Sequence, residues 1–197
     1  MPASLIFLAS YLIGAIPFGV IAAKICGVDL FKIGSGSTGT TNVIRACGKR
    51  WGLVVLILDL LKGTAATLLG LMFFTNNWLI VACGALAMIG HSYSVFIKFR
   101  GGKAAATGIG VLLALNWKLF LIIAVGTILI RQISGYQSLA SLGGSGLAVI
   151  LFLYFKQPIE YSALVILGSV FVWLKHLANI KRLLQGTESK IVKKGKR

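Results

Sequence analysis

The sequence predicts an all-α, polytopic membrane protein, and three observations lead there. Hydrophobic residues make up 57% of the 197 and charged residues only 12%, with a mean hydropathy of +0.92. A soluble domain of this length needs far more charge to cover its surface. The apolar residues also gather into runs approaching membrane-crossing length, and basic residues sit at the ends of those runs. No polar stretch is long enough to fold a separate core. Residues 1–197 therefore read as a single transmembrane domain, with 179–197 as its basic tail.

The runs lie at about 4–25, 52–74, 78–97, 104–115, 117–130, 142–155 and 159–175. Run 4–25 has no positive n-region and no persuasive small-residue cleavage site, so it reads as a retained helix rather than a signal peptide. Pro17 predicts a kink within it, which membrane helices tolerate. Run 52–74 carries Asp59 and Lys62, three apart and so on one helical face; they read as a structural ion pair buried in the bundle. Runs 104–115 and 117–130 divide at Asn116-Trp117-Lys118, with one longer span as the alternative. Trp51, Trp78, Trp117 and Trp173 fall at or near span ends, as an aromatic belt requires.

Charge chooses between these counts. With seven helices and the N-terminus outside, Lys24, Lys32, Arg45, Lys49, Arg50, Lys98, Arg100, Lys103, Arg131, Lys175 and the basic tail all fall on the cytoplasmic side. Only Lys118 and Lys156 fall outside. Merging the two short helices would send Arg131 and the tail outward, so seven spans are expected, with the C-terminus cytoplasmic. The net charge of +16, from 20 Lys+Arg against 4 Asp+Glu, is then a matter of topology, lipid headgroups and anionic substrate rather than nucleic acid. Cys26, Cys47 and Cys83 have no metal spacing, and His91 and His176 have no evident carboxylate or Cys companions. No metal and no cofactor are expected.

In this orientation four polar segments share the cytoplasmic face: "GSGSTGTTNVIR" (34–45), "KFRGGKAAAT" (98–107), "SGYQSLAS" (134–141) and "KHLANIKRLLQGTESK" (175–190). A shared site built from several helix ends is the economical explanation. Glycines let backbone amides approach a ligand, and successive amides can form an anion nest. Gly101-Gly102-Lys103 is expected to open a helix, offering amides and a full charge to an anion, and Arg45 can grip a phosphate bidentately. The first loop lacks the terminal Gly-Lys-Ser/Thr of a P-loop. Plainer readings exist for each: Lys103 and Arg45 as orientation charges, His176 as a cation at a helix C-terminus, and Ser138 and Ser141 bonded back to their own helix. With four acidic residues in all and only Glu188 near these segments, a carboxylate base is poorly supplied, which favours a transferase using an activated donor.

The ordered set "GAIPFG", "GSGSTGTTNVIRACG", "DLLKG", "GHSYSVFIKFRGGKAAAT", "YQSLAS" and "HLANIKRLLQGTESK" resembles the bacterial acyl-phosphate:glycerol-3-phosphate acyltransferases of the PlsY type, over nearly the whole chain. The resemblance implies a bacterial inner-membrane enzyme of phospholipid synthesis with a cytoplasmic site. It would move a fatty acyl group from acyl phosphate to sn-glycerol 3-phosphate, giving lysophosphatidate and phosphate. It implies that Ser35 and Gly36, with Gly101, Gly102 and Lys103, hold a phosphate. It implies that Arg45 and Ser138 contribute to substrate binding, and that Ser141, His176 and Asn179, with Lys103, organise transfer. Against the family pattern, Ser37 replaces Asn, Thr40 replaces Ala, Ala104-Ala105 replaces Gly-Val, and Ser94 replaces Pro. Gly135 stands where Arg often precedes "YxSLAS", and Leu177-Ala178 replaces a charged pair. The alternatives are a non-catalytic paralogue that binds phosphate or lipid, and a small organic-phosphate transporter. No internal repeat of the transporter kind is visible.

Overall fold

The computed structural model describes residues 2–190. Among them the chain forms ten α-helices and no β-strand; a single isolated bridge pairs Ser94 with Arg100. The helices pack as two compact units, divided between Trp117 and Lys118.

The first unit holds α1 (Ala3–Ala15), α2 (Phe18–Ile25), α3 (Thr40–Cys47), α4 (Lys49–Phe73), α5 (Asn77–Ser92) and α6 (Ala105–Leu115). α1 and α2 make one apolar stretch, Ala3–Ile25, interrupted at Ile16-Pro17 as the proline requires. Side chains accept the task of satisfying the carbonyls released there: Ser94 Oγ donates to Ala15 O at 2.6 Å, and Lys62 Nζ donates to Ile16 O at 3.1 Å. α4 is apolar outward and polar inward. Leu53, Ile57, Leu61 and Leu68 are exposed, while Asp59, Lys62, Gly63 and Thr67 are buried. That inversion is what a lipid-facing helix needs. Glycine permits close backbone approach on that inner face: a Cβ at Gly110 of α6 would overlap the Leu60 carbonyl.

The second unit holds α7 (Trp117–Ser134), α8 (Gln137–Tyr154), α9 (Ile159–Lys175) and α10 (Leu177–Leu184). α8 and α9 are tied by Trp173 Nε1–H to Ser145 Oγ at 2.9 Å and by Ser169 Oγ–H to Ser145 O at 3.0 Å. α9 and α10 bend by 61°, with His176 at the break.

The helices cover the seven runs read from the sequence, and by length and composition four of them can cross a membrane: Ala3–Ile25, Lys49–Phe73, Trp117–Ser134 and Gln137–Tyr154. Taken together as one broken span, the bent pair α9–α10 makes a fifth. α5 and α6 are apolar but shorter. Helix boundaries differ from the apolar runs and polar segments in three places. In the run 78–97 the α-helix ends at Ser92, because Tyr93 leaves the helical region at φ −133°, ψ 64°; the chain continues through a 3-10 turn, Val95–Ile97, and folds back through Phe99 N–H to Ser94 O at 2.8 Å. The segment 137–141, ahead of the apolar run that begins at 142, forms the first turns of α8. Half of the segment 34–45 is helix α3, whose Asn42 and Val43 are buried; Val43 packs with Ala22, Ala23, Leu30 and Val55.

Candidate active site

In the first unit, Asp29 Oδ1 accepts the Phe31 N–H at 3.0 Å and caps a short 3-10 turn, Leu30–Lys32. The following loop turns through Gly34 and Gly36, both at positive φ (56° and 63°), which glycine adopts without strain. Asn42, 1% exposed, is its post: Oδ1 accepts Ser35 N–H at 3.2 Å and Nδ2–H donates to Leu30 O at 3.1 Å. Gly36 N–H is bonded to Ile33 O, and Gly39 N–H to Ser37 Oγ. Three of the amides expected to face a ligand, those of Ser35, Gly36 and Gly39, instead hold the loop. Ser35 is exposed. So is Arg45, in the last turn of α3, whose stem lies beside Gly34.

Gly101-Gly102-Lys103 does not open a helix, a second correction. α6 begins at Ala105 after Ala104, which has φ 57° in the left-handed region. That left-handed residue breaks the helical path, and ahead of it the Gly102 N–H, bonded to His91 O at 3.1 Å, ties the segment to α5. The amides of Ala105, Ala106 and Thr107 precede the first helical bond, Gly108 N–H to Ala104 O. Beneath this segment, Lys62 Nζ lies 2.8 Å from Asp59 Oδ1, with side chains 3% and 2% exposed. His91, which has no companion in sequence, acquires one in space: its Nδ1 is 3.5 Å from the same Asp59 oxygen.

In the second unit Glu188 is the centre. Its Oε1 accepts Ser138 Oγ–H at 2.9 Å and Asn179 Nδ2–H at 2.6 Å, and its Oε2 accepts Arg182 Nε–H at 2.6 Å. Burial pushes its carboxyl pKa up, but the hydrogen bonds from Asn179, Arg182 and Ser138 and the Arg182 charge outweigh it. The group is held below its ordinary value. Ser141 Oγ–H bonds back to Gln137 O at 3.0 Å. His176 is buried with Nδ1 2.8 Å from Val172 O; a carbonyl only accepts, so Nδ1 carries the proton and Nε2 is the basic nitrogen. Gly135, at φ 78°, lies under the stem of Lys190, whose Nζ stands 5.3 Å from the Tyr136 ring centroid.

The family model described as glycerol-3-phosphate acyltransferase matches residues 4–186. The chain belongs to this family. Glycerol-3-phosphate acyltransferases of Geobacillus kaustophilus and Brucella suis are 40% and 45% identical to it, the first over 98% of both chains and the second over 94% of this chain and 91% of its own. One from a Nostoc species is 40% identical over 96% of this chain and 92% of its own. A crystal structure of PlsY, an integral membrane glycerol 3-phosphate acyltransferase, in its glycerol 3-phosphate form superposes with a TM-score of 0.91 at 35% identity. It covers 95% of this chain and 94% of that one. The lysophosphatidic acid form gives 0.89. The chain is thus a polytopic membrane acyltransferase by family.

Within this acyltransferase, sequence reading named Ser138, Ser141, His176 and Asn179 but missed what holds them. Arg182 and Glu188 stand in the quoted segment 175–190, but Ser138 and Glu188 are 50 residues apart, and no local spacing joins them. Asn42 was equally silent, although a lone Asn among hydroxyls just inside a helix is a signal for loop tethering.

Proposed function

We propose that the chain transfers a fatty acyl group from acyl phosphate to the primary hydroxyl of sn-glycerol 3-phosphate. The site lies on the cytoplasmic face of a bacterial inner membrane, with the seven helical runs as spans and the N-terminus outside. The observation that carries the choice of an activated donor is where the four acidic residues are placed. Asp29 caps a turn, Asp59 is buried against Lys62 and His91, and Glu188 is held by three donors. Glu160 sits in the first turn of α9, roughly 24 Å along the helix from His176. None is left as a general base, so the acyl group must arrive with a good leaving group.

The step balances without one. The hydroxyl oxygen of the acceptor forms a bond to the acyl carbon, the bond from that carbon to the bridging phosphate oxygen breaks, and the hydroxyl proton leaves on the departing phosphate. Lys103, placed by the turn that Gly101 and Gly102 form, holds the donor phosphoryl group where leaving charge develops. The Ser35 and Arg45 side chains hold phosphate on the loop that Gly36 turns, with Arg45 gripping that of the acceptor. Ser141, His176 and Asn179 orient the hydroxyl, within about 3–3.5 Å of the acyl carbon for attack. Ser138 acts through Glu188, which fixes the Asn179 amide. The net positive charge suits two phosphate-bearing substrates.

The protein, purified into a lipid phase, is supplied with palmitoyl phosphate and glycerol 3-phosphate, and phosphate and lysophosphatidate are followed together. Product in equal amounts from palmitoyl phosphate, none from palmitoyl-CoA, and loss in Lys103→Ala are expected. Glycerol 3-phosphate binding by folded protein without product would replace this reading with that of a non-catalytic paralogue.

A further inference from the structure

We propose that His91 is a positioning residue for this acyl transfer. Its imidazole is the seat on which the Gly101-Gly102 backbone rests, and it thereby sets where Lys103 stands. The ring, rather than a bound phosphate, is what requires glycine at 102. The proposal rests on the reading of Gly101–Lys103 as a phosphate-holding segment.

His91 ends α5 and is 6% exposed. Its carbonyl accepts Gly102 N–H at 3.1 Å, and a Cβ at Gly101 would overlap that same carbonyl. A Cβ at Gly102 would overlap His91 Nε2, with Cε1 at 2.8 Å and Cδ2 at 3.1 Å. The imidazole therefore occupies the space that any side chain at 102 needs. The ring is not free to swing away. Its other nitrogen faces Asp59 Oδ1 at 3.5 Å, and the same oxygen holds Lys62 Nζ at 2.8 Å. Lys62 in turn reaches Ile16 O at the α1–α2 break. These side chains are 5% exposed or less, so each buried charge depends on its partners. Pro17, Thr38, Asp59, Lys62, His91 and Ser94 line one narrow crevice, so this chain of contacts borders Thr38 of the first loop. Two explanations of Gly102 now compete: room for a substrate phosphate, or room for the ring.

A double-variant cycle separates them. His91→Asn keeps an amide nitrogen where Nδ1 stands but lacks Nε2 and Cε1, the two atoms a Cβ at 102 would meet first. Gly102→Ala alone should lose on the order of 10²-fold in kcat/KM, the cost of a displacement near 1 Å. His91→Asn alone should raise KM for palmitoyl phosphate about tenfold with kcat little changed. The double variant should recover at least about tenfold over Gly102→Ala. A double variant no better than Gly102→Ala, or His91→Asn with wild-type KM, would overturn the proposal. If His91→Asn does not fold, the pair His91→Ala and Gly102→Ala gives the same comparison. Tm measured across the cycle separates the outcomes further. Coupling in Tm without any in KM reduces His91 to packing and overturns the positioning role. An inactive wild type with coupled Tm values would sink the acyltransferase reading while leaving the seat in place. An active wild type with additive Tm values and additive kinetics would sink the seat alone.

Discussion

In the first unit the segment before α6 is fixed through backbone. Gly102 bonds to the His91 carbonyl, glycines lie where any Cβ would collide, and charge stays below, in Asp59 and Lys62. In the second unit one carboxylate, Glu188, gathers Ser138, Asn179 and Arg182 directly. The first arrangement is governed by shape and does not tolerate added atoms. The second is governed by charge and does not tolerate its removal. Substitutions that are gentle in one unit should therefore be severe in the other.

The largest effect is expected from Glu188→Gln, which keeps the shape and removes the charge. Charge-assisted bonds are worth about 1.5–3 kcal/mol each, less on the side of Arg182, which is 38% exposed and screened by solvent. Activity should fall on the order of 10²-fold and Tm should drop; unchanged kinetics would break the comparison at once. The same carboxylate carries a pH signature. Its folded pKa is depressed from 4.5, so its stabilisation is present above that value and is lost as pH falls through the lower folded pKa. Tm of the wild type should fall in that acid window more steeply than Tm of Glu188→Gln.

The shape-governed unit is tested next by Gly110→Ala, whose Cβ would overlap the Leu60 backbone. A cost of about 1–3 kcal/mol is expected in thermal unfolding. The matched change in the second unit, Gly146→Ala, meets only Trp173 Cζ2 at 4.0 Å and should be neutral or stabilising by up to about 1 kcal/mol. Equal costs at the two positions would remove the distinction.

The smallest effect sharpens the comparison rather than breaking it. Ala104 holds a left-handed φ of 57°, a conformation costing an L-residue roughly 1–2 kcal/mol. Ala104→Gly should raise Tm by a few degrees, about 1 kcal/mol after the greater freedom of glycine in the unfolded chain is deducted. A lowered Tm would mean that the methyl group, 1% exposed, contributes more by packing than its backbone loses.

The long elements were legible because membrane spans are written in composition. Every apolar run found a helix, and Pro17 marked its break correctly. What failed was local. α3 and α10 are short and interleave polar with apolar residues, so neither shows as an apolar run, yet each buries one polar side chain, Asn42 and Asn179. The glycines around 34–39 and 101–102 were visible as glycines, but their purpose was not. Chain flexibility and ligand approach were the obvious reasons, whereas the collisions with Asn42, His91 and backbone carbonyls exist only once the helices pack. His91 with Asp59, and Glu188 with Ser138, are partnerships across helices, and no spacing rule reaches them.

Lys190 has a bearing on how such a chain is compared with its relatives. Its stem lies over Gly135 and its ammonium over the neighbouring tyrosine ring, at the position where an arginine stands in the family pattern. Column by column, position 135 scores as a lost cation. In space a cation has arrived there from elsewhere in the chain. An arginine written back into position 135 would meet a left-handed φ of 78° and a lysine stem 3.3 Å from its Cβ, so it would strain the backbone and shift the cation already present.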